Sequence, residues 1–436
     1  MNLHTARAAL LILFISPICA AKNWTLDEAL NRALEANPDA SIAQASVDRA
    51  QAIAQQADST LYPRISANLG YSQTDNPMMS FGNILNQGTF DNTINFNDPG
   101  RTDAFSAGVY LKYPIFTGGT AAAKRRSAEN ISDAAVLERE VAYNNLRMET
   151  IRSYFAIIQA KLLRKSILRT LDSLEENLRN AKALENEGKI LKSERLNIEV
   201  RLLSAKQALL TAEHQLALSK TRFSNLLALD GGDDADADES VLKVACFKIP
   251  EEKEGRVRPE VSALEMRVES SKNNVDAQVG LYFPMVSIIG GYQYDKGWVR
   301  SGDNGSWNAG VVMEIPIFDG MLTRGKVMEA KSLETQMRQM LRKLELDLNY
   351  QKQSALLSEK NIREQTELAK AQVAQADESL KILSARFKEG AAMSVELLRA
   401  ESAAAEARIK LDILRCSKNV AAAELRRSMG LDILGK

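Results

Sequence analysis

Histidine is almost missing from this chain of 436 residues, which holds two, His4 and His214. With a single imidazole beyond the N-terminal leader, neither a histidine-built metal centre nor a histidine general base has the partners it needs. No glycine-rich loop runs into a Lys-Ser or Lys-Thr pair, so a phosphate cradle is absent. Charge of either sign is not in excess: 56 basic residues face 56 acidic ones, and no basic field invites nucleic acid. After residue 21 no apolar run approaches the ~20 residues of a spanning helix. Carboxylates are plentiful, but they sit among lysines and arginines in helical runs, as solvated faces do. These absences argue against an enzyme, a cofactor, a metal, a nucleic-acid partner and a helical membrane span.

The first residues read as an export signal. Arg7 supplies charge, Ala8 to Ile18 an apolar stretch, and Cys19-Ala20-Ala21 small residues for cleavage. Residues 1–21 are therefore expected to be removed. Cys19 raises lipid attachment as an alternative, which the bulky Ile18 before it disfavours. Of the cysteines left, Cys246 and Cys416, a pairing stays open, since sequence shows no proximity.

What is present is a repeat. Tyr113-Pro114-Ile115-Phe116-Thr117-Gly118-Gly119 returns 202 residues later as Ile315-Pro316-Ile317-Phe318-Asp319-Gly320-Met321. Glu187-Gly188 returns as Glu389-Gly390 at the same offset, whereas Tyr62-Pro63 returns as Phe283-Pro284 at an offset of 221. The first copy thus carries a longer polar loop between Tyr71 and Pro114. A duplication of this size organises the chain before any single motif does. The division expected is 22–230 for the first copy, 231–258 for an acidic, solvated linker or equatorial segment, and 259–436 for the second.

Each copy reads as helix, strand, loop, strand, long helix, turn, helix. Thr25 with Glu28 makes a capping box, and Leu26, Ala29, Leu30, Ala33 and Leu34 fall on one helical face. Asn37-Pro38 breaks and restarts the helix, which should run to about Thr60, with a second copy over 259–281. The period then changes from 3.6 to 2 in four strands of about ten residues, a length that crosses a bilayer when tilted. Ile65, Leu69, Val109, Leu111, Ile288 and Val311 should face lipid, and Ser66, Asn68, Gly108, Ser287 and Glu314 a lumen. Four strands cannot close a barrel and lipid tolerates no open edge, so several chains must contribute; three would supply twelve strands. The strand-to-helix junctions are Pro114, Phe116, Gly118 and Pro316, Phe318, Gly320. Long helices follow over 121–187 and 322–389, each roughly 100 Å, and shorter ones return over 193–229 and 394–429.

These residues carry a resemblance to the outer membrane efflux proteins. The Thr25-Leu26-Asp27-Glu28-Ala29-Leu30 opening with Asn37-Pro38, both Pro-Ile-Phe junctions, and Arg386-Phe387-Lys388-Glu389-Gly390 with Ser394, Glu396, Leu397 and Leu398 resemble that family's first helix, junctions and periplasmic turn. The first turn departs from the pattern: Lys192 stands in the place of Ser394, and Ser193 is the substitute cap. The resemblance implies a mainly α-helical protein with membrane β-structure: a homotrimer with a twelve-stranded barrel in the lipid of the outer membrane and a helical tunnel in the periplasm. It would be the passive exit duct of a tripartite efflux or type I secretion system, served by a periplasmic adaptor and an inner-membrane transporter. The turns at Gly188 and Gly390, with Leu191, Met393 and Val395, would dock the adaptor. The acidic pairs Glu175-Glu176 and Asp377-Glu378 would ring the periplasmic gate, with Asp377 or Glu378 toward the lumen; pairing with Arg179, Lys182 or Lys381 is the alternative. An exported coiled coil linking envelope layers without channel activity is the competing reading, and leaves four phased strands unexplained. A periplasmic adaptor would carry one helical hairpin flanked by β-rich domains, not two copies of this unit.

Overall fold

The computed structural model describes residues 22–229, 235–243, 247–250 and 255–434. The expected signal with Cys19, the Gly231–Asp234 stretch and Cys246 lie outside them. The duplication is visible in element lengths. Helices α4 (Thr120–Asn186) and α7 (Leu322–Lys388) each have 67 residues. Helices α5 (Lys192–Leu226) and α8 (Ser394–Ser428) each have 35, and α2 (Pro38–Asp58) and α6 (Pro259–Val279) each have 21. The chain forms two compact units, and each draws residues from both copies. Helices α4 and α7 contribute to both units.

The first unit, 22–42, 142–257 and 348–434 within the described residues, is mainly helical. Helix α1 (Leu26–Ala36) opens with the expected box: Glu28 N–H donates to Thr25 Oγ1 (3.3 Å) and Thr25 N–H to the Glu28 carboxylate (3.1 Å). Its buried face is Leu26, Ala29, Leu30 and Ala33, with Leu34 half-buried beside them. Asn37 holds the break, accepting from Asp39 N–H and donating to the Leu226 carbonyl, each at 2.8 Å. The main core of this unit gathers Tyr154, Phe155, Ile157, Ile158 and Phe223 around α1. Each such side chain contributes roughly 1.5–3 kcal/mol by burial.

The acidic segment departs from the solvated linker expected. Residues 235–237 form strand β4, which pairs in parallel with β1 (Lys22–Trp24), and Ala235 and Ala237 are buried. Tyr154 Oη donates to the Trp24 carbonyl and accepts from Asp238 N–H, each at 3.1 Å. Asp236 lies between Lys161 (2.6 Å) and Lys220 (3.3 Å). Alternating small alanines and two lysines on neighbouring helices turn the described end of the acidic run, residues 235–238, into packed structure.

The second unit, 43–141 and 258–347, holds an antiparallel sheet of order β2-β3-β5-β6. The strands β2 (Arg64–Thr74), β3 (Thr102–Phe116), β5 (Met285–Gly297) and β6 (Gly302–Glu314) have 11, 15, 13 and 13 residues, longer than expected. The loop between β2 and β3 contains helix α3 (Pro77–Asn86), which the sequence reading missed. Its signal was the Asn-Pro pair read correctly at Asn37-Pro38: Asn76 Oδ1 accepts from Met79 N–H and Pro77 takes the first turn. Phe81, Phe90 and Phe96 stack in this loop at centroid spacings of 4.5 to 6.0 Å.

The junctions differ between copies. Strand β3 continues past Pro114 to Phe116 by slipping register against β5, since proline has no N–H to give the ladder. Strand β6 stops at Glu314, before Ile315-Pro316. Beyond the first proline Gly118 (φ +62°) lies against the turn that follows α6, where an added Cβ would stand 2.3 Å from the Gly280 carbonyl oxygen. Beyond the second, Gly320 (φ +65°) has open space around it.

Candidate functional site

Four surfaces carry the residues singled out by sequence: the two faces of the sheet, the helical turns, and the acidic pairs near those turns. Register decides the sheet faces. Ile65 pairs with Leu111, Val109 with Tyr292, Leu111 with Gly290, and Ile288 with Val311, so all six expected apolar positions share one face. Ser66 pairs with Tyr110, Asn68 with Gly108, Gly108 with Gln293, Ser287 with Val312, and Met285 with Glu314, which places the polar set on the other. Tyr110 Oη donates to Gln293 Oε1 (2.8 Å) across that polar face. On the apolar face Leu69 is 76% and Trp307 78% exposed, an area that none of the described residues covers. Edge strands β2 and β6 each have one partner strand among the described residues. Open edges and a broad exposed apolar face are what a section of a membrane barrel presents before its neighbours join.

At the turns both long helices end alike. Lys189 N–H donates to the Leu184 carbonyl and Gly188 N–H to that of Glu185, both at 2.9 Å. In the second copy Ala391 N–H donates to Arg386 (2.8 Å) and Gly390 N–H to Phe387 (3.0 Å). Gly188 and Gly390 take φ of 71° and 75°, the left-handed values this closure requires. Under the turns Ala181, Ile198, Phe387 and Leu397 form a separate small core. Leu191, Met393 and Val395 stay outside it, exposed by 71%, 60% and 44%. The expected serine caps are corrected. Ser394 and Ser193 lie inside α8 and α5, and the caps are Met393 and Leu191. Glu396 instead accepts from Met393 N–H (3.3 Å).

Three of the four acidic residues are engaged within the chain. Asp377 on α7 meets Arg408 on α8 at 2.6 Å, and Glu176 on α4 meets Lys388 on α7 at 2.7 Å. Glu378 lies 3.6 Å from Lys381, the partner weighed from sequence, while Glu175 is exposed. The Lys388 hydrogen bond holds the Glu176 carboxyl below its usual range. Arg408 and Lys388 were not anticipated, because spacing along one helix says nothing about register against another.

Glu401, a further carboxylate missed by sequence reading, is buried on α8 and accepts from Ser173 and from Asn177 Nδ2 (2.9 Å) on α4. Burial pushes its carboxyl up, and the two hydrogen bonds only partly offset that. Cys416 is also buried, its thiol pushed up to about 12, so no thiolate forms there at neutral pH. Among the described residues no group of His, Cys, Asp and Glu could hold a metal ion.

Comparison with known proteins bears on what this arrangement is. A family model described as Outer membrane efflux protein matches residues 29–229 and 256–431. The pyoverdine export outer membrane protein OpmQ of Pseudomonas aeruginosa is 23% identical over 420 residues, which cover 91% of this chain and 83% of OpmQ. Among solved structures, CusC superposes with a TM-score of 0.81 at 18% identity, over 94% of this chain and 93% of its own. The CmeC outer membrane channel of Campylobacter jejuni superposes with a TM-score of 0.79 at 17% identity, over 99% and 94%.

Proposed function

Since the chain belongs to the outer membrane efflux protein family, it is an outer membrane channel with a large periplasmic helical portion, and we propose that it works as the passive exit duct of a tripartite efflux or type I secretion system. The observation that carries the reading is the four-stranded sheet with one apolar face and two open edges. A barrel that spans lipid has no edges, so β2 of one copy must pair with β6 of the next. Three copies make twelve strands, with Ile65, Leu69, Val109, Leu111, Ile288 and Val311 toward lipid and Ser66, Asn68, Gly108, Ser287 and Glu314 toward water. The purified protein should have a trimer's mass and conduct ions in a planar bilayer. A monomer without conductance would leave the exported coiled coil as the better account.

The turns at Gly188 and Gly390, with Leu191, Met393 and Val395, are the surface offered to a periplasmic adaptor, which couples the duct to an inner-membrane transporter. Support comes from apolar side chains left exposed on two identically closed turns. Photocrosslinkers at positions 189 and 391 should capture the adaptor in cells, and capture only from strand positions would move the docking site elsewhere.

The gate lies at the acidic pairs Glu175-Glu176 and Asp377-Glu378. Asp377–Arg408 ties α7 to α8, and Glu176–Lys388 ties α4 to α7. Ion pairs this exposed contribute little to folding and weaken with salt. They suit a latch that a docked partner can release. Asp377→Asn should raise conductance and lower cation selectivity; unchanged currents would remove Asp377 from the gate.

A further inference from the structure

The polar face of the sheet ends, where β2 and β5 begin and β3 and β6 finish, in a cavity of about 570 Å³ that the duct reading leaves unused. Its charged lining is one-sided: Arg64, Lys112, Lys124 and Lys326 against the single carboxylate of Glu314. None of the four cations has an ion-pair partner among the described residues. Arg64 and Lys112 are direct partners in the β2–β3 ladder, on the face that also carries Ser66 and Tyr110. Like charges opposite each other across two strands destabilise a sheet. Basic side chains that anchor a barrel to lipid headgroups belong on the apolar face, whereas these two point away from it. The volume falls within the range of small-molecule sites.

We propose that this cavity is a binding site for small multivalent anions, with several carboxylate or phosphate groups, that Arg64, Lys112, Lys124 and Lys326 hold together. An anion of two or more charges removes the repulsion between Arg64 and Lys112 and gives the lysines from α4 and α7 the acceptors they lack. The forked guanidinium of Arg64 takes two oxygens of one group, and the three ammonium groups act as point charges around the rest. Glu314 sets a limit, since it repels the ligand from one wall. The assignment of this site to the inside of a channel rests on the duct reading; the binding itself does not. On that reading the cavity is a way-station that enriches anionic cargo at the helix end of the barrel.

The test uses the full-length protein in detergent, titrated calorimetrically with inorganic pyrophosphate and, as a control, with spermidine. Pyrophosphate should bind and spermidine should not, and binding should weaken as salt is raised. Arg64→Ala with Lys112→Ala should weaken pyrophosphate by roughly tenfold or more, the loss of one or two charge-assisted hydrogen bonds. Lys124→Ala with Lys326→Ala, on helices rather than in the ladder, should do likewise and covers the case in which the strand variant misfolds. Absence of binding to the native protein, or equal affinity in a folded variant, overturns the proposal. Conductance of the same preparation is read separately: pyrophosphate binding without conductance would sink the duct and leave the site standing.

Discussion

The two strand-to-helix junctions, alike in sequence, are unlike in structure. Pro114-Ile115-Phe116-Thr117-Gly118 begins within the last residues of the inner strand β3 and is packed into place, with Ile115 and Phe116 half exposed. Pro316-Ile317-Phe318-Asp319-Gly320 follows the edge strand β6, and there Ile317 and Phe318 are 94% and 79% exposed. The contrast teaches that a duplicated sequence sets the turn, while its place in the sheet sets how much the turn touches. An apolar junction left bare at an edge is what a neighbouring strand would cover, in keeping with the trimer proposed.

The largest expected effect separates the two junctions. Gly118→Ala would put a methyl 2.3 Å from the Gly280 carbonyl oxygen and 2.7 Å from Phe283 Cβ in a left-handed backbone. We expect a loss above about 4 kcal/mol and failure to reach the folded form. Gly320→Ala meets open space and costs only the left-handed strain, about 1–2 kcal/mol. Heat-modifiability on gels, with the yield of folded protein, reads both; equal damage would erase the distinction.

Next in size, the asymmetry should stop at the junctions. Leu69→Arg in the first copy and Val311→Arg in the second lie on the same apolar face. Both should lower barrel stability, by about 2–4 kcal/mol for Leu69→Arg in the middle of its strand and by less for Val311→Arg close to the strand end, with Asn68→Arg on the polar face as the silent control. Denaturant unfolding in lipid vesicles checks this, and a silent Val311→Arg would show that the edge strand is not in lipid.

Helix ends give a smaller contrast. Helix α5 closes with Ala228 at φ 49°, where α8 has Gly430 at φ 70°. Ala228→Gly should stabilise by about 0.5–1 kcal/mol and Gly430→Ala should cost about as much. Melting midpoints that move the same way for both would refute the pairing.

The smallest effect concerns two glutamates 202 residues apart. Glu199 sits beside Arg195 (2.5 Å), whereas Glu401 is buried against Ser173 and Asn177. Because burial raises the Glu401 carboxyl, the folded state holds its proton more tightly than the unfolded one. This group therefore reduces stability as pH rises from the usual carboxylate range through its raised folded value, and the penalty levels off above it. Glu401→Gln should remove that slope and raise the neutral-pH melting midpoint, whereas Glu199→Gln should slightly lower it. A Glu401→Gln variant with the native pH slope would place the titration elsewhere.

Much of this was legible because it is local. Helical and strand periods, a capping box, the Asn37-Pro38 break and two tip glycines act within a few residues of themselves. The long helices lie within a residue or two of their expected ends, and the sheet faces follow a period of two through all four strands up to the register slip after Pro114. Duplication, four phased strands of barrel length and the resemblance of both junctions to the outer membrane efflux proteins pointed to a channel before any coordinate did. Contacts between segments far apart in the chain needed the tertiary structure. Lys388 for Glu176, Arg408 for Asp377, the burial of Ala235 and Ala237, and the carbonyl of Gly280 against Gly118 depend on which faces of packed elements meet. Periodicity along one element fixes its own faces but not their register against the next. The four cations of the junction cavity are the plainest case: Arg64, Lys112, Lys124 and Lys326 spread over 263 positions of sequence, and only folding brings them around one space.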